Sequence, residues 1–217
     1  MAHAAMILGA VGVVYGALLA FAQTDFKRLV AYSSVSHMGF VLIGVFAWQE
    51  LTVQGSVMQM IAHGFSTAAL FMLAGALQHR LHTRDMTKMG GLWVDMPRMG
   101  AIAMFFIVAS LGMPGLGNFV GEFLILMGAF QVDVAITVVA ALGLVGAAVY
   151  ALIAMQRVFQ GEPTSGRDLE DFGALEVGVM AAMMIGLVWL GLYPQPVFDI
   201  VDPVLVSLFE HVGGSAP

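Results

Sequence analysis

Residues 99–131 read MGAIAMFFIVASLGMPGLGNFVGEFLILMGAFQ, and this stretch decides what kind of fold the chain has. A hydrocarbon core about 30 Å thick is crossed by a straight helix of about 20 apolar residues, and this apolar block is much longer than that. Pro114, Gly115 and Gly117 stand in its middle. Proline removes a backbone donor and glycine relaxes the chain. The stretch therefore predicts a discontinuous helix, with half-helices at 99–112 and 119–131.

Five further apolar blocks flank this one, and each has the length of an ordinary membrane-spanning helix. Hydrophobic residues make up 60% of the chain and charged residues only 10%, against about 25% charged in a typical soluble domain. The alternation of apolar and polar residues that a membrane β-barrel needs is absent from the sequence. We therefore predict an all-α fold, a single polytopic membrane helix bundle of about six transmembrane helices with the fourth discontinuous. The five continuous spans are predicted at 4–22, 29–48, 56–78, 134–155 and 175–193.

The basic residues are confined to alternate connections between the predicted spans. All eight lie in the connections after the first, third and fifth blocks, and the other connections and both termini carry none. Lysine and arginine favour the cytoplasmic side of a membrane. The distribution predicts that the basic loops face the cytoplasm and that both termini lie on the periplasmic side. The residues are Lys27, Arg28, Arg80, Arg84, Lys88, Arg98, Arg157 and Arg167.

Three ionisable residues fall inside the predicted spans at similar depth. His37 and His63 each lie about eight residues into a span, roughly 12 Å from its end. Glu122 lies in the first turn of the second half-helix. Ionisable groups within a membrane are rare, costly and usually functional, and histidine can accept a proton on one ring nitrogen while it donates from the other. The pattern favours proton transfer among these residues, with a structural role for buried histidines as the alternative.

Polar residues at helical spacing accompany the ionisable ones. Ser33 and Ser36 stand on the helix of the first histidine, and Gln59 and Thr67 form a stripe with the second at i, i+4 and i+8. Such a stripe faces away from lipid, although hydroxyl and amide groups also join helices by hydrogen bonds without carrying ions. Pro114 is predicted to create a break of the kind at which transporters place ion sites, and a structural kink is the alternative.

The absence of cysteine limits the chemistry of the chain. Thiolate zinc sites and cysteine-held iron–sulfur clusters are excluded, and the glycine-rich phosphate loops of nucleotide-binding proteins are missing. Basic patches with interleaved aromatic residues are also missing, which argues against nucleic acid as a partner. We therefore expect no cofactor, no metal and no redox centre in this chain.

Four stretches together carry a specific pattern. They are FAQTDFKRLVAYSSVSHMG at 21–39, MIAHGFS at 60–66, MGGLW at 89–93 and LGMPGLGNFVGEF at 111–123. In these stretches the chain resembles the antiporter-like subunits of respiratory complex I, the NADH–quinone oxidoreductase. The resemblance covers nearly the whole chain and is weakest in 160–180 and after 200. Glu122 stands where two sister subunits carry lysine, which points to one branch of the family.

The resemblance implies a fold of two inverted repeats, each with one broken helix, around a polar axis that conducts protons. Matching positions place His37, His63 and Glu122 on that axis. Lys27 is expected to fix the orientation of the fold at the interface, with delivery of protons as the alternative role. The chain resembles the second repeat plus the last helix, so the N-terminal half of the parent subunit is absent from it.

The resemblance also implies a function, that of a proton-translocating membrane-arm subunit in an enzyme whose redox chemistry takes place in other subunits. NADH, FMN, iron–sulfur clusters and quinone are expected in those partner subunits. The other membrane-arm subunits and the lipid bilayer are the expected partners, and the bacterial inner membrane is the expected location. Two alternatives stay open: a Mrp-type Na⁺/H⁺ antiporter subunit, which shares the fold, and a structural membrane scaffold with no ion path.

Overall fold

The computed structural model describes residues 1–162 and 169–213, and these residues form α-helices joined by short connections. Arg167, one of the predicted cytoplasmic basic residues, lies outside the described residues. In chain order the α-helices are α1 (Ala2–Phe21), α2 (Phe26–Ala47), α3 (Glu50–Leu81), α4 (Leu92–Asp95), α5 (Pro97–Ser110), α6 (Gly117–Val132), α7 (Val134–Phe159), α8 (Ala174–Leu192) and α9 (Gln195–Gly213).

The predicted membrane helix bundle is confirmed. The helices α1, α2, α3, α7 and α8 are long and apolar enough to cross a membrane, and α5 and α6 are two shorter apolar helices in series. The helix α3 packs against α2, α5, α6 and α8, while α1 packs against α2 and α7. The central position of α3 brings its polar stripe next to both α2 and the discontinuous span.

The helix α3 extends at both ends beyond the apolar block that predicted it. The third block was predicted at 56–78, but α3 begins at Glu50 and ends at Leu81. At its start the backbone N–H of Gln49 donates to Thr52 Oγ1 at 3.2 Å, a capping contact that polar residues provide. Hydropathy marks only the part of a helix that lies in hydrocarbon, whereas the helix itself continues into the polar interface.

The predicted break in the fourth span is confirmed. The helix α5 ends at Ser110 and α6 begins at Gly117, so the non-helical segment covers 111–116, about two residues earlier than the gap between the predicted half-helices 99–112 and 119–131. Gly112 has a φ of 71° and Gly115 a φ of 93°, in the left-handed region that glycine adopts without steric cost. The two glycines, together with proline between them, therefore turn the chain between the half-helices.

The helix α8 covers the break. Gly191 packs against the backbone of Gly115 so closely that a Cβ on Gly191 would collide with the carbonyl group of Gly115. A non-helical backbone at membrane depth is tolerated only where protein or water satisfies and covers it. The packing of α8 on this segment meets part of that requirement.

The connections that carry basic residues meet at one end of the bundle. The N–H of Phe26 donates to the carbonyl of Arg84 at 2.9 Å, and Arg84 Nε lies 3.2 Å from Asp25 Oδ2. The N–H of Gly91 donates to the carbonyl of Gln160 at 2.9 Å. The connections after α1, α3 and α7 thus share one end, as their basic residues predict.

Polar contacts stabilise this basic end. Hydrogen bonds from the side chain and the backbone of Thr87 hold the pKa of the Asp85 carboxyl below its usual value. Arg80 Nη2 donates to both carboxylate oxygens of Glu176 on α8, at 3.0 and 2.9 Å. Such charge-assisted contacts position the end of α3 against the start of α8.

The last helix lies at the opposite end. The helix α9 contains Pro203, and Gln54 of α3 donates to its Asp202 Oδ1 at 2.6 Å. Phe209 packs edge-on against Trp48, the residue that ends α2, with ring centroids 5.2 Å apart. The tail after α8 is therefore a helix that contacts the ends of α2 and α3 opposite to the basic connections.

Candidate functional site

Three helices bring His37, His63 and Glu122 together inside the bundle. His37 Nδ1 on α2 lies 2.8 Å from Glu122 Oε1 on α6. The rings of His37 and His63 have centroids 5.4 Å apart and are tilted by 45°. The exposed fractions of His37, Glu122 and His63 are 1%, 2% and 7%. The structure therefore places these three predicted residues in one buried row.

Glu122 lies between α3 and the break in the fourth span. Gln59 Nε2 on α3 donates to Oε1 at 3.0 Å, so this oxygen interacts with both Gln59 and His37. The second oxygen, Oε2, lies close to Gly112 in the break, where a Cβ would come within 2.6 Å of it. The carboxyl group is therefore held by α2 and α3 on one side and by the turn on the other.

His63 contacts two hydroxyl groups. Its Nε2 lies 2.7 Å from Ser34 Oγ on α2 and 2.9 Å from Thr67 Oγ1 on α3. Ser34 and Thr67 are half-buried, and Ser34 lines a groove of about 390 Å³ between α1 and α2. The His63 end of the row thus approaches the surface of the bundle, while the Glu122 end is buried.

Both ring nitrogens of His37 already have partners. Nδ1 contacts Glu122, and Nε2 lies 3.4 Å from the hydroxyl of Tyr150 on α7. The described contacts of His63 are with hydroxyl groups, so the two rings are neighbours without a hydrogen bond between them. Proton transfer from one ring to the other requires rotation of a ring or an intervening water molecule.

The predicted supporting residues divide into two groups. Gln59 and Thr67 contact the row directly. Ser36 instead donates to the carbonyl of Val13 at 2.8 Å and so joins α2 to α1. Lys27 is exposed in the first turn of α2, and Pro114 is exposed within the break. The structure does not bring Ser36, Lys27 or Pro114 into contact with the row. The hydrogen bond of Ser36 joins two helices, which is the alternative role given above for such hydroxyl groups.

Ser33, the remaining supporting residue, contacts a group that the sequence analysis missed. Its hydroxyl donates to the carbonyl of Val30 at 2.8 Å, and its side chain is a polar neighbour of Tyr150. Tyr150 is 2% exposed. A tyrosine inside an apolar span is itself a signal for such a contact, because a buried hydroxyl usually has a hydrogen-bond partner.

A second polar contact, between α6 and α3, was also missed. Asn118 Nδ2 donates to Ser66 Oγ at 3.1 Å. Asn118 lies one helical turn from Glu122 on α6, and Ser66 lies one helical turn from His63 on α3. Within the described residues, Asn118 Oδ1 and Gln59 Oε1 are buried and accept no hydrogen bond. Buried acceptors of this kind are suited to binding ordered water.

Comparison with known sequences agrees with this geometry. A profile of the family described as "NADH:quinone oxidoreductase/Mrp antiporter, TM" matches residues 1–149, which is more than half of the chain. The chain belongs to the NADH:quinone oxidoreductase/Mrp antiporter family. The resemblance predicted from the four sequence stretches is thereby confirmed.

Individual members of the antiporter family show how the chain is placed within it. It is 58% identical to NADH-quinone oxidoreductase subunit M of Pseudomonas aeruginosa over 97% of the chain and 42% of that protein. Subunit M is the branch to which Glu122 pointed. The chain spans about two fifths of the length of the curated relatives it matches.

Solved structures of the antiporter family share the fold. A chain of respiratory complex I from Thermus thermophilus with bound NADH matches with a TM-score of 0.90 and 34% identity, over 94% of this chain and 43% of that one. A chain of the Mrp complex from Dietzia sp. matches with a TM-score of 0.84 and 18% identity, over 95% and 48%. The second likeness concerns the fold alone.

Proposed function

We propose that this chain contributes the buried row of Glu122, His37 and His63 to a proton-translocating membrane-arm subunit of an NADH–quinone oxidoreductase. The observation that carries the proposal is the contact of 2.8 Å between His37 Nδ1 and Glu122 Oε1, buried beside a broken helix. A carboxyl group and two imidazoles in one row can each bind and release a proton. Ionisable groups within a membrane are costly to bury, so those that occur there usually have a function.

The break supports a role in transport as well. Gly112, one of the two glycines that turn the chain, lies next to the Glu122 carboxyl group, so a change in the protonation of Glu122 acts directly on the least regular part of the span. Transporters place ion sites at discontinuous helices because these leave polar backbone groups free and permit small movements. Water bound at Gln59 Oε1 would connect the carboxyl group to further parts of the path.

The redox chemistry is assigned to partner subunits. The subunit M relatives are named as parts of an NADH-quinone oxidoreductase, and this chain has no cysteine to hold an iron–sulfur cluster. NADH, FMN, iron–sulfur clusters and quinone accordingly belong to other subunits of the proposed complex. We place the chain in a bacterial inner membrane next to the other membrane-arm subunits, with its basic end towards the cytoplasm and both termini towards the periplasm.

The replacement Glu122→Gln tests the proposal. Glutamine keeps the shape and hydrogen-bonding capacity of the side chain but cannot bind a proton, so the complex should assemble while proton pumping falls about a hundredfold or more. Glu122→Asp keeps the ionisable group and should retain part of the activity. The measurement is NADH-driven acidification of vesicles that contain the whole complex, normalised to assembled protein.

The matched control is Glu210→Gln, which removes an exposed carboxyl group of α9 and should leave pumping unchanged. Normal pumping by Glu122→Gln would show that the proton path runs elsewhere. A scaffold without an ion path predicts flux that is insensitive to loss of both Glu122 and His63. A Mrp-type antiporter predicts flux that depends on Na⁺ and persists without NADH and quinone.

A further inference from the structure

Tyr150 is a buried polar residue to which the proposed function assigns no role. It lies on α7, is 2% exposed, and its hydroxyl is 3.4 Å from His37 Nε2. The side chain of Ser33 on α2 is the second polar neighbour of this hydroxyl. Tyr150 therefore stands between two polar partners on α2, on the side of the His37 ring opposite to Glu122.

The number of available protons limits how these groups can be arranged. Ser33 Oγ donates its proton to the carbonyl of Val30, so towards Tyr150 it can only accept. Tyr150 has a single proton and can donate it either to Ser33 Oγ or to His37 Nε2. The Tyr150 hydroxyl can therefore act as a donor or as an acceptor towards the His37 ring. When it accepts from the ring, it donates its own proton to Ser33 Oγ.

While Glu122 is deprotonated, the two states of the hydroxyl correspond to the two protonation states of His37. A neutral ring that donates from Nδ1 to Glu122 has an unprotonated Nε2, which accepts from Tyr150. A charged ring donates from both nitrogens, and Tyr150 then accepts at Nε2 while it donates to Ser33. In both states Nδ1 stays on Glu122, and the ring does not have to turn towards His63.

We propose that Tyr150 is a positioning residue for His37: with Ser33 as its alternative acceptor, its hydroxyl keeps Nδ1 of His37 on Glu122 in both protonation states of the ring. The inference rests on the proposed function, because it concerns the orientation of a group in the proton path. Without the hydroxyl, Nε2 has no partner within the described residues, and the ring can turn and exchange the roles of its two nitrogens.

The test is Tyr150→Phe in the complete oxidoreductase, since phenylalanine keeps the ring that packs in the core and removes only the hydroxyl. The loss of one buried hydrogen bond should lower NADH-driven proton pumping per assembled complex about three- to tenfold, with assembly unchanged. Tyr32→Phe is the matched control. Tyr32 is a half-buried tyrosine of α2 whose hydroxyl makes no hydrogen bond in the part of the chain that the structure describes.

A spectroscopic measurement separates positioning from a general effect on packing. The infrared ring bands of histidine differ between the Nδ1–H and Nε2–H tautomers, and the His37 band can be assigned by its loss in His37→Gln. We expect this band to shift in Tyr150→Phe and not in Tyr32→Phe. If Tyr150→Phe assembles poorly, Ser33→Ala supplies the same test, because it removes the acceptor that the charged state of His37 requires.

The outcomes distinguish this inference from the proposed function. Parental pumping and an unchanged His37 band in Tyr150→Phe would overturn the positioning role, while a loss of pumping in Glu122→Gln would leave the proposed function intact. Parental pumping in Glu122→Gln would instead overturn the proposed function. Ser33→Ala and Tyr150→Phe remove the same interaction, so their effects should not add. The double variant should therefore pump no less than Tyr150→Phe alone.

Discussion

At the scale of single residues, the two histidines of the row have different surroundings. His37 is fully enclosed and contacts the Glu122 carboxyl group, whereas His63 contacts hydroxyl groups and lies near a surface groove. Water can replace an imidazole near the groove more readily than one in the closed interior. The two positions should therefore differ in their tolerance of replacement.

We expect His37→Ala to lower pumping about tenfold or more, because it leaves a buried carboxyl group without one of its two partners. His63→Ala should lower pumping no more than about threefold, since Ser34 and Thr67 remain to bind water. The measurement is NADH-driven acidification per assembled complex. Equal losses in the two variants, or a larger loss in His63→Ala, would contradict the proposed difference.

Sequence alone predicted the depth of these residues but not which of them face each other. Counting residues along each helix placed His37, His63 and Glu122 at a similar level, because the rise per residue is fixed. The rotation of each helix about its axis is set by packing against its neighbours, and one sequence does not show that packing. Ser36 and Tyr150 illustrate this limit: the predicted Ser36 joins α1, and the unpredicted Tyr150 contacts His37.

At the scale of elements, the broken span was the most predictable feature, because proline and glycine act on the backbone locally. The ends of α3 were less predictable, since its polar outer turns resemble a loop in hydropathy. The covering of the break by α8 depends on Gly191, which is distant in sequence from Gly115. Contacts of this kind arise from the tertiary arrangement, so no local pattern reveals them.

The turn at Gly112 leads to a prediction for the broken span. Alanine at this position must adopt a left-handed φ of 71°, at a cost of about 1–2 kcal/mol, and its methyl group would meet Glu122 Oε2. We expect Gly112→Ala to displace the carboxyl group and to reduce pumping severalfold more than it reduces assembly. Immunodetection of the assembled complex and vesicle acidification measure the two quantities separately.

The control for this prediction is Gly178→Ala on α8, where an added Cβ meets no atom within 4 Å. Alanine is also the better helix former, so this variant should assemble and pump as well as the parent. If Gly112→Ala behaves like Gly178→Ala in both measurements, then the turn does not position Glu122. A parallel loss of assembly and pumping in Gly112→Ala would indicate a role in folding only.

At the scale of the whole molecule, the bundle has two chemically different ends. The connections that carry basic residues are tied together by the contacts of Arg84 with Asp25 and Phe26, and Arg80 joins α3 to α8. Lys27 lies at this end, exposed and separated from the row by about three helical turns. Its position fits the role of fixing the orientation of the fold better than that of delivering protons to His37.

The orientation of the two ends can be measured directly, because the chain has no cysteine and an introduced one reports its own position. Glu162 is exposed beyond α7 at the basic end, and Glu50 is exposed at the opposite end, where α3 begins. Since basic loops are retained in the cytoplasm, Glu162→Cys should react with a membrane-impermeant maleimide only in inside-out vesicles. Glu50→Cys should react only in right-side-out vesicles. Ala62→Cys, which is buried in the bundle, should react in neither, and exchange of the first two patterns would reverse the proposed topology.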